Sequence, residues 1–128
     1  MKEKEVINLE NDEKHIEHQE ERVKAETERL NKIFKDIPQD RMKVAQGLII
    51  QAARLRVLLD DAWLDIQTNG DYELFTQSEN TPPYERERPV AKHFNQRDGS
   101  YQKVVMQLTK LLPEDVKEEI KEERKSLL

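Results

Sequence analysis

The segment Arg41–Ile66, RMKVAQGLIIQAARLRVLLDDAWLDI, decides the fold of this chain. Its apolar residues recur at alternating steps of three and four, which is the period of an amphipathic α-helix. The recurring residues are Ala45, Leu48, Ala52, Leu55, Leu59, Ala62 and Ile66. Ile49, Leu58 and Trp63 widen this line, which indicates that more than one side of the helix is covered. The sequence therefore predicts a helix from Arg41 to Thr68, roughly 42 Å long at ~1.5 Å per residue.

Both ends of this helix carry boundary signals. Pro38 interrupts the preceding pattern, and Asp40 is the predicted N-cap, because its carboxylate can accept free backbone N–H groups of the first turn. Asn69-Gly70 ends the helix, since glycine suits the left-handed conformation after a last turn. The polar connector Asp71–Arg88 follows, and a connection of this length usually indicates function or disorder. Its interspersed aromatic residues favour packing of at least one part of it.

A second helix is predicted from Pro89, because proline fits the first turn of a helix. Its apolar stripe keeps one phase across Gly99, which falls on the exposed side, so one continuous helix is expected. The stripe consists of Val90, Phe94, Tyr101, Val104, Val105, Leu108, Leu111 and Leu112. Two helices of similar length with a returning connector form a hairpin. We therefore predict an all-α protein built around a long antiparallel helical hairpin.

Charged segments flank this hairpin on both sides. In the first, one apolar position recurs every seven residues, while polar residues occupy the second apolar position that a coiled coil needs. The recurring residues are Leu9, Ile16, Val23, Leu30 and Ile37. We expect this helix to lie along another helix only over its last two turns. The predicted organisation is a charged N-terminal helical arm at 1–37, the helical hairpin as oligomerisation core at 38–113, and a charged C-terminal helix at 114–128, where Val116 and Ile120 are weak anchors.

Composition narrows the classes of function. The chain has 128 residues, 38% of them charged, and a net charge of −5. A single acidic copy is a poor polyanion binder, because phosphate contacts require a basic surface. Cysteine is absent, which excludes disulfides and thiolate metal sites. No apolar run approaches the ~20 residues of a membrane span, and Met1–Glu5 lack an export signal core. We expect a soluble intracellular protein.

Two clusters of ionisable residues suggest chemistry, and both have a plainer interpretation. His15 and His18 have a spacing that can serve a metal on a helix, but a charged arm without a third ordered ligand favours a solvated face. Asp60, Asp61 and Asp65, with Glu17 and Glu20, suggest the magnesium site of an all-helical nucleotide pyrophosphohydrolase. The four-residue spacing of Asp61 and Asp65 departs from that pattern. No nucleophile–base set or phosphate loop is present, so no enzyme and no cofactor is predicted.

The segment from Tyr84 through Pro113 resembles the small subunit of tailed-phage terminases. In that family a long helix ends at an Asn-Gly or similar turn, a polar connector leads to a proline, and a second helix ends in an apolar-Pro element. Asn69-Gly70, Pro89 and Leu112-Pro113 stand at those places here, and the resemblance covers roughly residues 40–113. The N-terminal arm departs from the family, because it is acidic and lacks the Gly-containing turn of a helix-turn-helix.

The resemblance implies a non-catalytic factor of viral genome packaging in the host cytoplasm. Such subunits form homo-oligomeric rings, help to select viral DNA, and regulate the ATPase and nuclease of the terminase large subunit. We predict a subunit interface at Ile49, Leu58 and Trp63. The predicted DNA contacts are Arg86, Arg88, Lys92 and Arg97. If these residues do not bind DNA, the next candidates are Lys43, Arg54 and Arg56. The alternatives are a helical adaptor that binds protein without touching DNA and, less favoured, the pyrophosphohydrolase.

Overall fold

A computed structural model of the chain describes the backbone of residues 2–126 and the side chains of residues 10–126. Over this range the chain is mostly helical, in agreement with the all-α prediction, and it also contains a small two-stranded sheet. The elements are α1 (Lys2–Ile33), α2 (Gln39–Asn69), β1 (Tyr72–Phe75), β2 (Tyr84–Glu87), α3 (Pro89–Lys110) and α4 (Glu114–Ser126).

Side-chain contacts show how α2 and α3 lie against each other. At one end of the pair, Nη1 of Arg41 donates to the carbonyl of Leu111 at 3.3 Å. At the other end, the rings of Trp63 and Phe94 lie 5.9 Å apart. Residue numbers rise along α2 as they fall along α3, so the two helices run antiparallel. Gly99 is exposed within an uninterrupted α3, as its position in the stripe predicts.

Helix α1 contacts α2 over a longer stretch than the sequence predicts. Nε2 of Gln46 donates to Oδ1 of Asn31 at 3.3 Å, and Arg22 forms an ion pair with Asp61 at 2.6 Å. The contacts begin at Gln19 and continue to the end of α1 at Ile33, about four helical turns rather than two. The prediction failed because the contacts nearest the N-terminal end of this stretch are made by polar residues, Gln19 and Arg22, and not by a second apolar position.

The hydrophobic core joins α1, α2 and α3. Its buried residues are Leu30, Phe34, Ile37, Ala45, Ile49, Ala52, Ala53, Val104, Leu108 and Leu112. Alanines on α2 allow the neighbouring backbones to approach, while leucines of α1 and α3, with Phe34 in the turn after α1, fill the space between. A boundary between residues 37 and 38 therefore cuts through this core. Val116 and Ile120 of α4 pack against its edge.

The boundary signals around α2 have different outcomes. Gly70 has φ +83°, a region that favours glycine, and its N–H donates to the Ile66 carbonyl at 2.8 Å. The prediction of Asp40 as N-cap is wrong. Pro38 occupies the N-cap with φ −57°, and the helix begins at Gln39, so Asp40 lies inside the first turn. There its charge faces the positive end of the helix dipole instead of capping a backbone group.

The connector forms a β-hairpin that the all-α prediction missed. β1 and β2 pair antiparallel in the register Tyr72↔Glu87, Glu73↔Arg86, Leu74↔Glu85 and Phe75↔Tyr84. Charged residues occupy half of this short ladder, so the period-two signal is weak. At the tip, the hydroxyl groups of Ser78 and Thr81 lie 2.5 Å apart.

None of the described helices is sufficiently long and apolar to cross a bilayer.

Candidate functional site at the β-hairpin end

Arg88 joins the end of α2 to the start of α3. Its Nη1 donates to the Gly70 carbonyl at 2.6 Å, and its Nη2 donates to Oδ1 of Asp65 at 2.9 Å. The Arg88 backbone N–H also donates to the Asp71 carbonyl at 2.8 Å. The Asn69 amide and the Arg88 guanidinium, both donating to the Asp65 carboxylate, lower the pKa of that carboxyl below its ordinary value. Arg88 is therefore a structural clamp between the two helices.

Arg86 is bound inside the β-hairpin. Its Nε donates to Oε1 of the cross-strand residue Glu73 at 2.8 Å. Its guanidinium carbon lies 3.5 Å from the centroid of the Phe75 ring, a cation–π contact. The Phe75 ring in turn meets Tyr84 edge-on, with centroids 6.0 Å apart. The Arg86 side chain thus stabilises one face of the sheet.

These contacts divide the four predicted DNA-binding residues. Arg86 and Arg88 use their guanidinium groups in ion pairs, whereas Lys92 is exposed on α3 and Arg97 is partly exposed. The segment 71–88 also contains five acidic residues and only these two basic ones, so it repels phosphate. Arg86 and Arg88 therefore have a role in holding the fold, whatever they contact in addition, and Lys92 and Arg97 are the two predicted DNA contacts that form no ion pair in the described chain.

The two faces of the β-hairpin differ in their partners. One face contains Glu73, Phe75, Tyr84 and Arg86, which contact one another as described above. The opposite face, here called the hairpin face, contains Tyr72, Leu74, Glu85 and Glu87. On this face Tyr72 is 56% exposed and Leu74 is 73% exposed. A solvent-facing pair of large apolar side chains beside two carboxylates is typical of a contact surface.

A groove of about 310 Å³ continues the hairpin face towards the helices. It lies among Trp63 of α2, Tyr72 and Glu87 of the strands, and Ala91 and Phe94 of α3. Trp63 stacks obliquely on Phe94 yet is 50% exposed. The groove thus connects the Trp63 ring to the exposed strand residues in one surface.

The predicted subunit interface is only partly available. Leu58 and Trp63 are 37% and 50% exposed and can contact a neighbouring molecule. Ile49 has an exposure of 0%, because it belongs to the core between the three helices. Its assignment to the interface is wrong. The wide stripe on α2 is covered at that level by both α1 and α3 of the same chain.

Exposed residues on the outer side of α3 form a basic stripe that the sequence analysis did not identify as one surface. Six residues at steps of four and three lie on this side, and all are exposed: Lys92, Gln96, Gly99, Lys103, Met106 and Lys110. Helix α3 contains four basic residues and one acidic residue, a net charge of +3 within an acidic chain. Counting the net charge of each predicted helix separately would have revealed this basic stripe.

The acidic residues weighed as a metal site are used in other contacts. Asp60 pairs with Arg56 at 2.9 Å, Asp61 with Arg22 at 2.6 Å, and Asp65 with Arg88. Among the described residues, no group of three histidine or acidic side chains is arranged to hold a metal ion. Each of these three aspartates therefore has its own cationic partner within the chain.

Comparison with known proteins adds no relative. The chain matches no protein-family model, no curated protein and no solved structure.

Proposed function

We propose that this chain is a non-catalytic, homo-oligomeric DNA-packaging factor of the terminase small-subunit kind. In this proposal an α2–α3 hairpin is the framework of the oligomer, and the charged α1 and α4 regions flank it. The assembly binds viral DNA in the host cytoplasm and regulates a separate large subunit that carries the ATPase and nuclease.

One observation carries the proposal. The three sequence elements on which the resemblance rests all fall at helix boundaries. Asn69-Gly70 ends α2 with Gly70 at positive φ, Pro89 is the first residue of α3, and Leu112-Pro113 separates α3 from α4. These positions define the length and direction of the paired helices. That all three coincide with helix boundaries supports a resemblance in architecture, beyond a chance similarity of sequence.

Self-association is supported by the exposed apolar surface at the β-hairpin end. Trp63, Leu64, Tyr72 and Leu74 are all at least half exposed there. Burying a side chain of this size contributes about 1.5–3 kcal/mol before the cost of association is subtracted. A contact that covers several of them can stabilise an oligomer.

DNA contact is assigned to basic side chains that are free of ion pairs within the described chain. Two pairs qualify from the sequence prediction: Lys92 with Arg97 on α3, and Lys43 with Arg54 on α2. Arg56 leaves the set, because it pairs with Asp60 and lies over the Tyr101 ring. A single copy is acidic, so attraction requires an oligomer that repeats these side chains around the DNA.

A mobility-shift assay tests this assignment. Wild-type protein should retain DNA at low salt and release it steeply as salt rises, by about 0.9 in log affinity per decade of salt for each phosphate contacted. The variants Lys92→Glu/Arg97→Glu and Lys43→Glu/Arg54→Glu should separate the two sets, provided that light scattering shows an unchanged oligomer. If both variants retain DNA as the wild type does, the assignment of these residues is wrong.

The adaptor alternative keeps one specific observation in its favour. The hairpin face is both apolar and acidic, a composition that suits a basic protein partner better than DNA. An oligomer that retains no DNA at low salt would make the adaptor the better proposal. DNA retention that depends on oligomerisation would favour the packaging factor.

A further inference from the structure

We infer that the hairpin face of one copy docks on the outer side of α3 of a second copy. The site on α3, here called the lysine stripe, is formed by Gly99, Lys103, Met106 and Lys110. This contact specifies the self-association on which the proposed function rests.

Charge complementarity selects the occupant. The segment 71–88 has a net charge of −3, and α3 has a net charge of +3. Within the described chain, Glu85 and Glu87 form no ion pair, and neither do Lys103 and Lys110. Each surface therefore presents charges that its own chain does not neutralise, and the opposite surface supplies the matching sign.

The apolar residues of the two surfaces match as well. Tyr72 and Leu74 form a row on β1 beside a row of two glutamates on β2, because their cross-strand partners are Glu87 and Glu85. On the lysine stripe, Met106 is exposed between Lys103 and Lys110. Methionine is flexible and packs readily against leucine and aromatic rings. Contact would remove all three apolar side chains from water.

Gly99 gives the second copy room to approach. A glycine inside a helix lowers helix propensity, so the position needs another reason. In the single chain, a Cβ added at Gly99 would meet nothing within 4 Å, and the residue is exposed at the start of the stripe. A bare backbone there lets the Leu74 or Tyr72 side chain lie close to the helix.

The contact joins two different surfaces, so it is heterologous. Each copy offers one hairpin face and one lysine stripe, and repetition of the contact adds copies in one direction. Repetition closes into a ring if the rotation between copies divides a full turn. The groove that contains Trp63 borders the hairpin face, so α3 of the neighbouring copy also shields Trp63.

A charge exchange tests the contact by light scattering on the full chain without DNA. Glu85→Lys/Glu87→Lys makes the hairpin face basic, and Lys103→Glu/Lys110→Glu makes the stripe acidic. Each variant alone should weaken assembly at least tenfold and shift the mass towards one copy. An equimolar mixture of the two should assemble again, with the variants alternating, because each altered surface then meets its complement.

Matched substitutions control for fold and for nonspecific charge. Glu118→Lys/Glu122→Lys places the same charge change on exposed residues of α4 and should leave the mass unchanged. Gly99→Gln should lower the assembled fraction, whereas Gly47→Gln, at the equally open exposed glycine of α2, should not. Circular dichroism should show wild-type helicity in every variant.

Specific results overturn the inference. If the wild type assembles but both charge variants keep its mass, or if dissociated variants fail to recover on mixing, the interface lies elsewhere and the proposed oligomer stands. Loss of assembly in Gly47→Gln but not in Gly99→Gln would move the interface to α2. A wild type that stays a single copy at micromolar concentration would remove both this contact and the proposed oligomer.

Discussion

The two ends of α2 differ in how completely one chain can cover them. Towards the N-terminal end, Ala45, Ile49 and Ala52 have no exposed surface, because α1 and α3 both pack there. Buried residues continue as far as Ala62, but beyond it no residue of α2 is buried in the described structure, and Trp63 and Leu64 are half exposed or more. The part of α2 up to Ala62 therefore provides the stability of the single chain, and the C-terminal end provides surface for contact with other molecules.

The largest expected effect comes from truncating the chain inside the core. Residues 38–113 alone lack Leu30, Phe34 and Ile37, which are buried in the core. Loss of three large buried side chains removes at least about 6 kcal/mol, comparable to the total stability of a small domain. This fragment should show no cooperative thermal transition by circular dichroism.

A shorter truncation is the control for that experiment. Removal of residues 1–13 deletes a part of α1 that precedes Gln19, the first described side chain to bond α2, and the described side chains at 10–13 are exposed. The chain of residues 14–128 should melt within about 3 °C of the full chain. If 38–113 melts cooperatively at a similar temperature, α1 does not belong to the core.

Placing a carboxylate in the buried part and at the exposed C-terminal end of α2 should have opposite outcomes. Ile49→Asp introduces an unpaired charge at a site with 0% exposure and should unfold the chain, with a loss above about 4 kcal/mol. Leu64→Asp makes a similar change at 64% exposure and should alter the melting temperature of the single chain by no more than about 3 °C. Equal losses in urea denaturation would contradict the division of α2.

The same division explains what the sequence could predict. Regular spacing of apolar residues defined α2 and α3, and Gly70 and Pro89 marked their ends because each has a backbone preference of its own. The role of Ile49 depends on which helices surround α2, and a one-dimensional pattern carries no such information. Arg86 and Arg88 looked like free cations, since their partners Glu73 and Asp65 lie 13 and 23 residues away.

Removing the clamp at the helix boundary should have an intermediate effect. Arg88→Met loses two hydrogen bonds from a side chain that is 18% exposed, and should lower the free energy of unfolding by about 1–2 kcal/mol. Lys92→Met, one turn later on the exposed side of α3, should change it by less than about 0.5 kcal/mol. Urea denaturation measures both values. A neutral Arg88→Met would show that the clamp adds nothing to the stability.

The smallest expected effect is a pH dependence at Asp65. Its pKa in the folded chain lies below the ordinary value of 3.8, so the stability that it contributes is present above that value and is lost as the pH falls through the folded pKa. The stability difference between wild type and Asp65→Asn should therefore be constant from pH 7 to about pH 5 and shrink in stronger acid. A difference that grows on acidification would contradict this assignment.

Trp63 offers the most direct test of the C-terminal end of α2 as an assembly surface. It is the only tryptophan of the chain and is 50% exposed in the single copy, so its fluorescence reports on the β-hairpin end alone. Emission and acrylamide quenching should be measured together with light-scattering mass across a dilution series. We predict that dilution lowers the mass towards 15.2 kDa while the emission shifts to the red and quenching increases in step. A mass that falls while emission and quenching stay constant, or a single-copy mass at every concentration, would contradict assembly through this end of the molecule.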